Sequence, residues 1–84
     1  MIEKKLVALV QEFKSLQGAS DEESSIRQDI IREHIELIGE TAAFYGGFRG
    51  MIDLHDAAEE LVGCDNSIGY HLNEMWAGIG RWLP

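Results

Sequence analysis

Three histidines are the residues of this 84-residue chain whose chemistry first points to metal binding or proton transfer. A zinc protease motif requires two histidines one helical turn apart with a glutamate between them, and the chain has no such pair. The Glu-x-x-His arrangement of di-iron bundles is also absent, because an isoleucine stands three residues before each histidine. The closest pairs of histidine and carboxylate are His55 with Glu59, His71 with Glu74, and His55 with Asp53 and Asp56. We therefore predict no metal site and no cofactor.

Nucleophilic catalysis has no clear candidate either. Cys64 is the only cysteine, so it allows no internal disulfide, and no histidine or lysine adjoins it in sequence to activate its thiol. The serines of the loop at residues 18–25 are not flanked by the glycines of a nucleophile elbow (G-x-S-x-G). Gly46-Gly47 lacks the Lys-Ser/Thr ending of a phosphate-binding loop. A bundle of this size also rarely supplies the concave pocket of an enzyme. The sequence predicts a protein without catalytic activity.

The acidic residues are more informative, because four of them follow one helical face at steps of four, three and four. At 1.5 Å per residue this acidic row would span about 16 Å. Like charges at these spacings are mildly destabilising, so the row costs some stability. Its members are Asp29, Glu33, Glu36 and Glu40.

Two interpretations of the acidic row stay open. It is either a solvated face of an acidic protein, or an imitation of a phosphate backbone that docks on a basic nucleic-acid-binding groove. In the second case its attraction would speed association and weaken with salt. Acidic residues continue on the next segment at Asp53, Asp56, Glu59 and Glu60. Of these, Asp53, Asp56 and Glu60 join the acidic row as candidate partner-binding residues.

The net charge of -8 is unevenly distributed along the chain. All three lysines lie within the first fourteen residues, and from residue 15 onward thirteen acidic residues face four arginines. Direct binding of DNA or RNA requires Lys and Arg to neutralise phosphates, so this surface disfavours it. The charge instead favours a protein partner that is basic or that itself binds nucleic acid.

The elements that would position these residues are four amphipathic segments with short links between them. Their apolar residues recur at steps of three and four, the period of a helix and not of a strand. In the second segment the apolar stripe is Ile31, Ile35, Ile38, Ala42 and Tyr45, and Ile26 and Ile30 extend it backward. We predict a single all-α domain over residues 1–84, a small antiparallel bundle of about four helices. The heptad-like seams also allow two copies to pair as a dimer. The segments are residues 2–16, 26–45, 48–62 and 68–82.

Glycines and capping residues set the predicted boundaries. Gly18 and Gly63 stop the first and third helices. In the loop between the first two, Ser20 with Glu23 fits a capping box, and Ser24 or Ser25 is a competing N-cap; residues 64–67 supply N-caps for the fourth helix. Around Gly46-Gly47 two alternatives exist: a break, or a continuous helix in which Ala42, Gly46 and Gly50 form a smooth strip. We favour a break or kink, because each helical glycine costs about 1 kcal/mol relative to alanine.

The C-terminal segment carries large side chains on two faces. Met75 and Trp82 lie on its main apolar stripe and are predicted to be core. Trp76 is predicted to be the exposed aromatic anchor of an interface, although it also lies on a second acceptable stripe. Two partly apolar faces would bury more surface than one small bundle covers, which favours a dimer or partner interface.

The sequence also bears on location. No apolar run approaches the roughly 20 residues that a membrane span requires, so no membrane association is expected. Gln11 and Glu12 interrupt the apolar patch of MIEKKLVALV, which is too short for the core of a signal peptide. We expect a cytoplasmic protein.

In size, charge and helicity the chain resembles the small acidic proteins of phages and mobile elements that block host restriction or CRISPR complexes. The resemblance covers no sequence motif. It implies a non-enzymatic inhibitor, such as an anti-CRISPR or anti-restriction protein, that binds a nucleic-acid-handling complex as a mimic of DNA. The alternative is a helical dimerisation or adaptor module with a structural role.

Overall fold

The computed structural model describes residues 2–63, 68–80 and 82. Over these residues the protein is all-helical and has no strand, which confirms the predicted fold class. The predicted number of about four helices is wrong, because the second and third predicted segments form one helix with a bend. The helices are α1 (Ile2–Leu16), α2 (Glu22–Val62) and α3 (Ile68–Met75).

The long helix α2 doubles back at Gly47. A straight helix of its 41 residues would be about 60 Å long, whereas the largest extent of the protein is 38 Å. Gly47 has φ 63° and ψ -161°, a combination that only glycine adopts readily, so the predicted break or kink is confirmed here as a kink. We call residues 22–46 the first arm and residues 48–62 the second arm.

The two arms run side by side after the bend. A Cβ on Gly50 would lie 2.9 Å from the carbonyl oxygen of Ala42, which shows how closely the returning backbone approaches. Farther from the bend, Leu54 lines the same groove as Ile38. The small residues near the bend therefore serve close packing between antiparallel arms, and not a strip along one continuous helix.

The first arm begins with an aspartate cap and not with the predicted serines. Asp21 has extended backbone angles, and its carboxylate accepts a 3.0 Å hydrogen bond from the Ser24 backbone N–H. Hydrogen bonds from Ser24, first through its side chain and then through its backbone, lower the pKa of Asp21 from its ordinary 3.8. The prediction of Ser20, Ser24 or Ser25 as N-cap is wrong. Asp21, one residue after Ser20, can accept hydrogen bonds from the free N–H groups at the start of the helix, and its negative charge is also favourable at the positive end of the helix dipole.

Helix α1 packs antiparallel to the first arm of α2. Near the end of α1, Glu12 accepts from Arg27 at the start of the arm, with Nη2 and Oε2 2.8 Å apart. At the other end of α1, Ile2 lines a groove with Leu37 and Tyr45, which lie much farther along the arm. The predicted end of α1 is confirmed, with Gly18 at φ 87° just beyond it.

One hydrophobic core joins the three helices. Several residues that the apolar stripes placed in it are instead on the surface: Ile26 and Ile30 are more than half exposed, and Tyr45 is 82 % exposed. The reason is that α1 covers only one side of the first arm. The buried apolar residues are Leu6, Val7, Val10, Phe13, Ile31, Ile35, Ile38, Met51, Ala58, Ile68, Leu72, Met75 and Trp76.

The segment after α3 anchors the C-terminal part of the chain. The helix ends at Met75, earlier than predicted, and turns follow through Gly80. Trp76 is fully buried and its indole N–H donates to the Ile35 carbonyl oxygen at 3.0 Å. A Cβ on Gly39 would lie 2.5 Å from the Trp76 Nε1 atom, so only glycine leaves room for the indole.

The prediction that Trp76 is an exposed interface anchor is therefore wrong. Its indole fills a site on the inner face of the first arm, as described above. The prediction that Met75 and Trp82 are core is confirmed, since Met75 is buried and Trp82 packs partly buried against the core. The N-caps predicted within residues 64–67, and Cys64, lie outside the described residues.

Candidate protein-interaction surface on the second helix

The acidic row lies on the first arm, on its solvent side. Asp29, Glu33 and Glu40 are exposed, and Glu36 is partly exposed. Glu36 pairs with Arg32 one turn earlier, with Nε and Oε2 3.5 Å apart. The arrangement leaves a mostly one-signed surface that can meet positive charge from another molecule.

The acidic residues of the second arm are arranged differently. Asp53 lies 3.3 Å from Arg49, which partly offsets its charge. Asp56 and Glu59 both face the Nδ1 atom of His55, at 3.5 and 3.3 Å. The structure thus places two predicted binding residues, Asp53 and Asp56, beside basic groups of their own arm.

An exposed apolar stripe runs along the first arm beside the acidic row. Successive members of this stripe are four, seven and seven residues apart in the sequence, so they share one helical face. Exposure rises from 53 % at Ile26 to 81 % at Phe44, which is large for apolar side chains. We call these residues the outer stripe: Ile26, Ile30, Leu37 and Phe44.

The geometry of a helix places the outer stripe opposite the core. At about 100° per residue, Ile26 and Phe44 point in the same direction, roughly 180° from the buried Ile35. From Ile26 to Phe44 the stripe covers about 27 Å. The acidic row follows the same arm, displaced to one side of the stripe by roughly 20–80°. The two together form a surface with an apolar centre and one acidic edge.

A groove opens on the other side of the outer stripe. It has a volume of about 310 Å³ and is mostly apolar. Leu37 belongs to both features, so the outer stripe leads directly into the groove. The residues that line it include Ile2, His34, Leu37, Ile38, Tyr45 and Leu54.

Among the described residues one cluster could hold a metal ion. Potential ligand atoms of His55, Asp56 and Glu59 lie within 4.8 Å of one another. The His55 Nε2 atom lies 3.3 Å from the Gly69 carbonyl oxygen, so an N–H there can donate to α3. One imidazole and two carboxylates suit a divalent cation, but they also suit an ion pair with a protonated histidine.

The titratable groups of α3 are dispersed. His71 is buried and contacts Gln17, with Nε2 and Oε1 3.5 Å apart, so it belongs to the packing of α3 on α1. On the outside of α3 a hydrogen bond to Glu74, and the charge of that carboxylate, raise the pKa of Tyr70 above its ordinary value of 10. Neither arrangement unites an acid, a base and a nucleophile around a cleft.

Sequence reasoning missed the outer stripe as a functional feature. It took Ile26 and Ile30 as an extension of the apolar stripe of Ile31 and Ile35, and it gave Leu37 and Phe44 no role. The available signal was that the first arm carries two apolar stripes: one contains Ile31 and Ile35, and the other lies about half a turn away. Only the position of α1 decides which of them is covered.

Comparisons of the chain with protein-family models, with curated proteins and with solved structures gave no match. Within the part of the chain that the structure describes, no helix is both long enough and apolar enough to cross a membrane. The surface of α2 is therefore the main basis for a functional proposal.

Proposed function

We propose that this protein is a non-enzymatic regulator that binds a basic protein through the first arm of α2. Its partner is a nucleic-acid-handling complex, and the acidic row occupies the basic groove that nucleic acid would otherwise enter. Inhibition by an anti-CRISPR or anti-restriction type of mechanism follows from that competition. The observation that carries the proposal is the exposed acidic row, with Arg32 paired to one of its four carboxylates.

The energetics of such a row favour a role in binding. Its carboxylates repel one another at helical spacings of three and four residues, by a few tenths of a kcal/mol for each pair. A basic partner removes that repulsion and adds attraction, which also raises the rate of encounter. Association should therefore weaken markedly as the salt concentration rises.

Charge reversal of the acidic row tests the proposal. The variant Glu33→Lys/Glu36→Lys/Glu40→Lys should fail to capture the partner from a lysate of the cells in which the protein acts. The parent should capture it at low salt, lose it at high salt, and be displaced by added duplex DNA or RNA. Circular dichroism should show the same helix content in both proteins.

The second arm provides a matched control. The variant Asp53→Lys/Asp56→Lys/Glu60→Lys changes the net charge by the same amount but leaves the acidic row intact. We expect it to keep most of the partner binding. Equal loss in the two variants would point to net charge alone, and unaltered binding by the first variant would refute the proposal.

A further inference from the structure

The outer stripe is not explained by imitation of a phosphate backbone. A nucleic acid presents no apolar side chains along its backbone, whereas here four large ones are more than half exposed beside the carboxylates. Large apolar side chains that are exposed together on one helix face favour a site of interaction. The partner must therefore offer apolar groups in a line, with positive charge along one side.

We propose that the outer stripe and the adjoining groove bind an amphipathic helix of the partner that carries lysine or arginine beside its apolar face. This inference rests on the proposed function and specifies the element that the acidic row contacts. Ile30, Leu37 and Phe44 are seven residues apart, which is the repeat that a second helix can follow over many turns. The groove beside Leu37 receives one larger side chain of that helix.

Charge complementarity argues against a second copy of this chain as the occupant. In an antiparallel pair related by a two-fold axis, like edges meet, so one acidic row would face the other. In a parallel pair the row would face the opposite edge, which carries His34, Thr41, Tyr45 and one arginine, Arg27, whose guanidinium is already paired with Glu12 at 2.8 Å. The antiparallel arrangement gives the carboxylates no cationic partner and the parallel one offers only Arg27, which Glu12 already holds, whereas a basic helix brings several cations.

Synthetic helices test the proposal directly. The first probe is an 18-residue peptide with leucines at heptad positions and lysines flanking them. The second replaces each lysine with glutamate, and the third has the composition of the first in scrambled order. Fluorescence anisotropy should show binding of the first probe at least about 10-fold tighter than that of either other peptide.

Paired truncations locate the binding site. Leu37→Ala, on the outer stripe, should weaken binding of the first probe about 10-fold, in the range of interface anchors. Leu61→Ala removes a similarly exposed leucine, 46 % against 57 %, from the second arm and should leave binding unchanged. Equal effects of the two truncations would overturn the assignment of this surface.

The outcomes separate this inference from the proposed function. If the scrambled peptide binds as well as the ordered one, the surface attracts positive charge without recognising a helix, and only this inference fails. If sedimentation shows a dimer that Leu37→Ala dissociates, a second copy covers the stripe and the inference also fails. If charge reversal of the acidic row leaves capture of the partner intact, the proposed function itself fails.

Discussion

The two arms of α2 belong to one helix but present their charge to the solvent in different ways. On the second arm, Asp53 pairs with Arg49 and Glu59 lies beside the His55 imidazole, so these carboxylates have partners within the same arm. On the first arm, Arg32 pairs with only one of the four carboxylates of the acidic row, and large apolar side chains lie exposed beside the row. These carboxylates of the second arm therefore have partners within the protein, whereas the first arm would gain electrostatic attraction and bury apolar side chains by binding another molecule.

The difference follows from what each arm packs against. The first arm contacts α1 and Trp76 through its inner face, and this fixes it while its outer face stays open. The second arm contacts α3, where Gly69 approaches Glu59 so closely that a Cβ would clash with the carboxylate. A rigid inner face behind an open outer one is what a preformed binding surface requires.

The largest expected effect concerns the inner face of the first arm. Gly39→Ala would place a Cβ against the Trp76 indole, and overpacking of this kind costs about 1–3 kcal/mol. Gly46→Ala on the same arm is the control, because a Cβ there meets nothing within 4 Å and alanine favours the helix. Urea denaturation should show a loss of stability for the first variant only. Equal stabilities would mean that the indole does not hold the arm as described.

The bend that separates the arms gives the next largest effect. Gly47→Ala should lower the free energy of unfolding by about 1–3 kcal/mol, because its backbone conformation strains any residue with a Cβ. Gly46→Ala, one residue earlier, has no positive φ and should show no such loss. If Gly47→Ala is as stable as the parent, the arms do not meet at this residue.

The cap of the first arm gives a smaller effect that depends on pH. Because the folded pKa of Asp21 is lowered, its contribution to stability is complete above its ordinary pKa of 3.8 and is lost as pH falls through the folded value. The difference in melting temperature between the parent and Asp21→Ala should therefore be largest near pH 7 and shrink below pH 4. Ser20→Ala should melt like the parent at every pH, and a loss there would favour the capping box instead.

The charges of the two arms should respond in opposite directions, and this effect is the smallest. Glu33→Gln/Glu40→Gln relieves repulsion within the acidic row and should raise stability by a few tenths of a kcal/mol. Asp53→Asn removes the contact with Arg49 and should lower stability by a similar amount or leave it unchanged. Both differences should shrink in 1 M salt. A stability loss on neutralising the row would mean that its carboxylates are not in mutual repulsion.

Local signals in the sequence were sufficient for much of the fold. The period of the apolar residues predicted helices throughout, and α1 has the predicted bounds of residues 2–16. Gly63 ends α2 as predicted, and its backbone N–H bonds to the Glu59 carbonyl oxygen. Such features depend on residues within one or two turns of each other, which is why a single sequence reveals them.

The errors concern contacts between residues that are distant in sequence. Trp76 lies on one of two acceptable stripes, and its burial depends on Gly39 and Ile35 of another helix. Ile26 and Ile30 extend an apolar pattern, but whether they are covered depends on where α1 packs. The acidic row could be located from spacing alone, whereas the outer stripe beside it became visible only once the core had been assigned.

The hydrogen bond from the Trp76 indole to the Ile35 carbonyl oxygen provides a means to observe the molecule in solution. Its proton can exchange with solvent only when the segment after α3 lifts away from the first arm, so its NMR exchange rate reports that opening event. A ligand on the outer face should leave the indole resonance nearly in place while slowing its exchange. The two sides of the same arm could then be followed separately in one experiment.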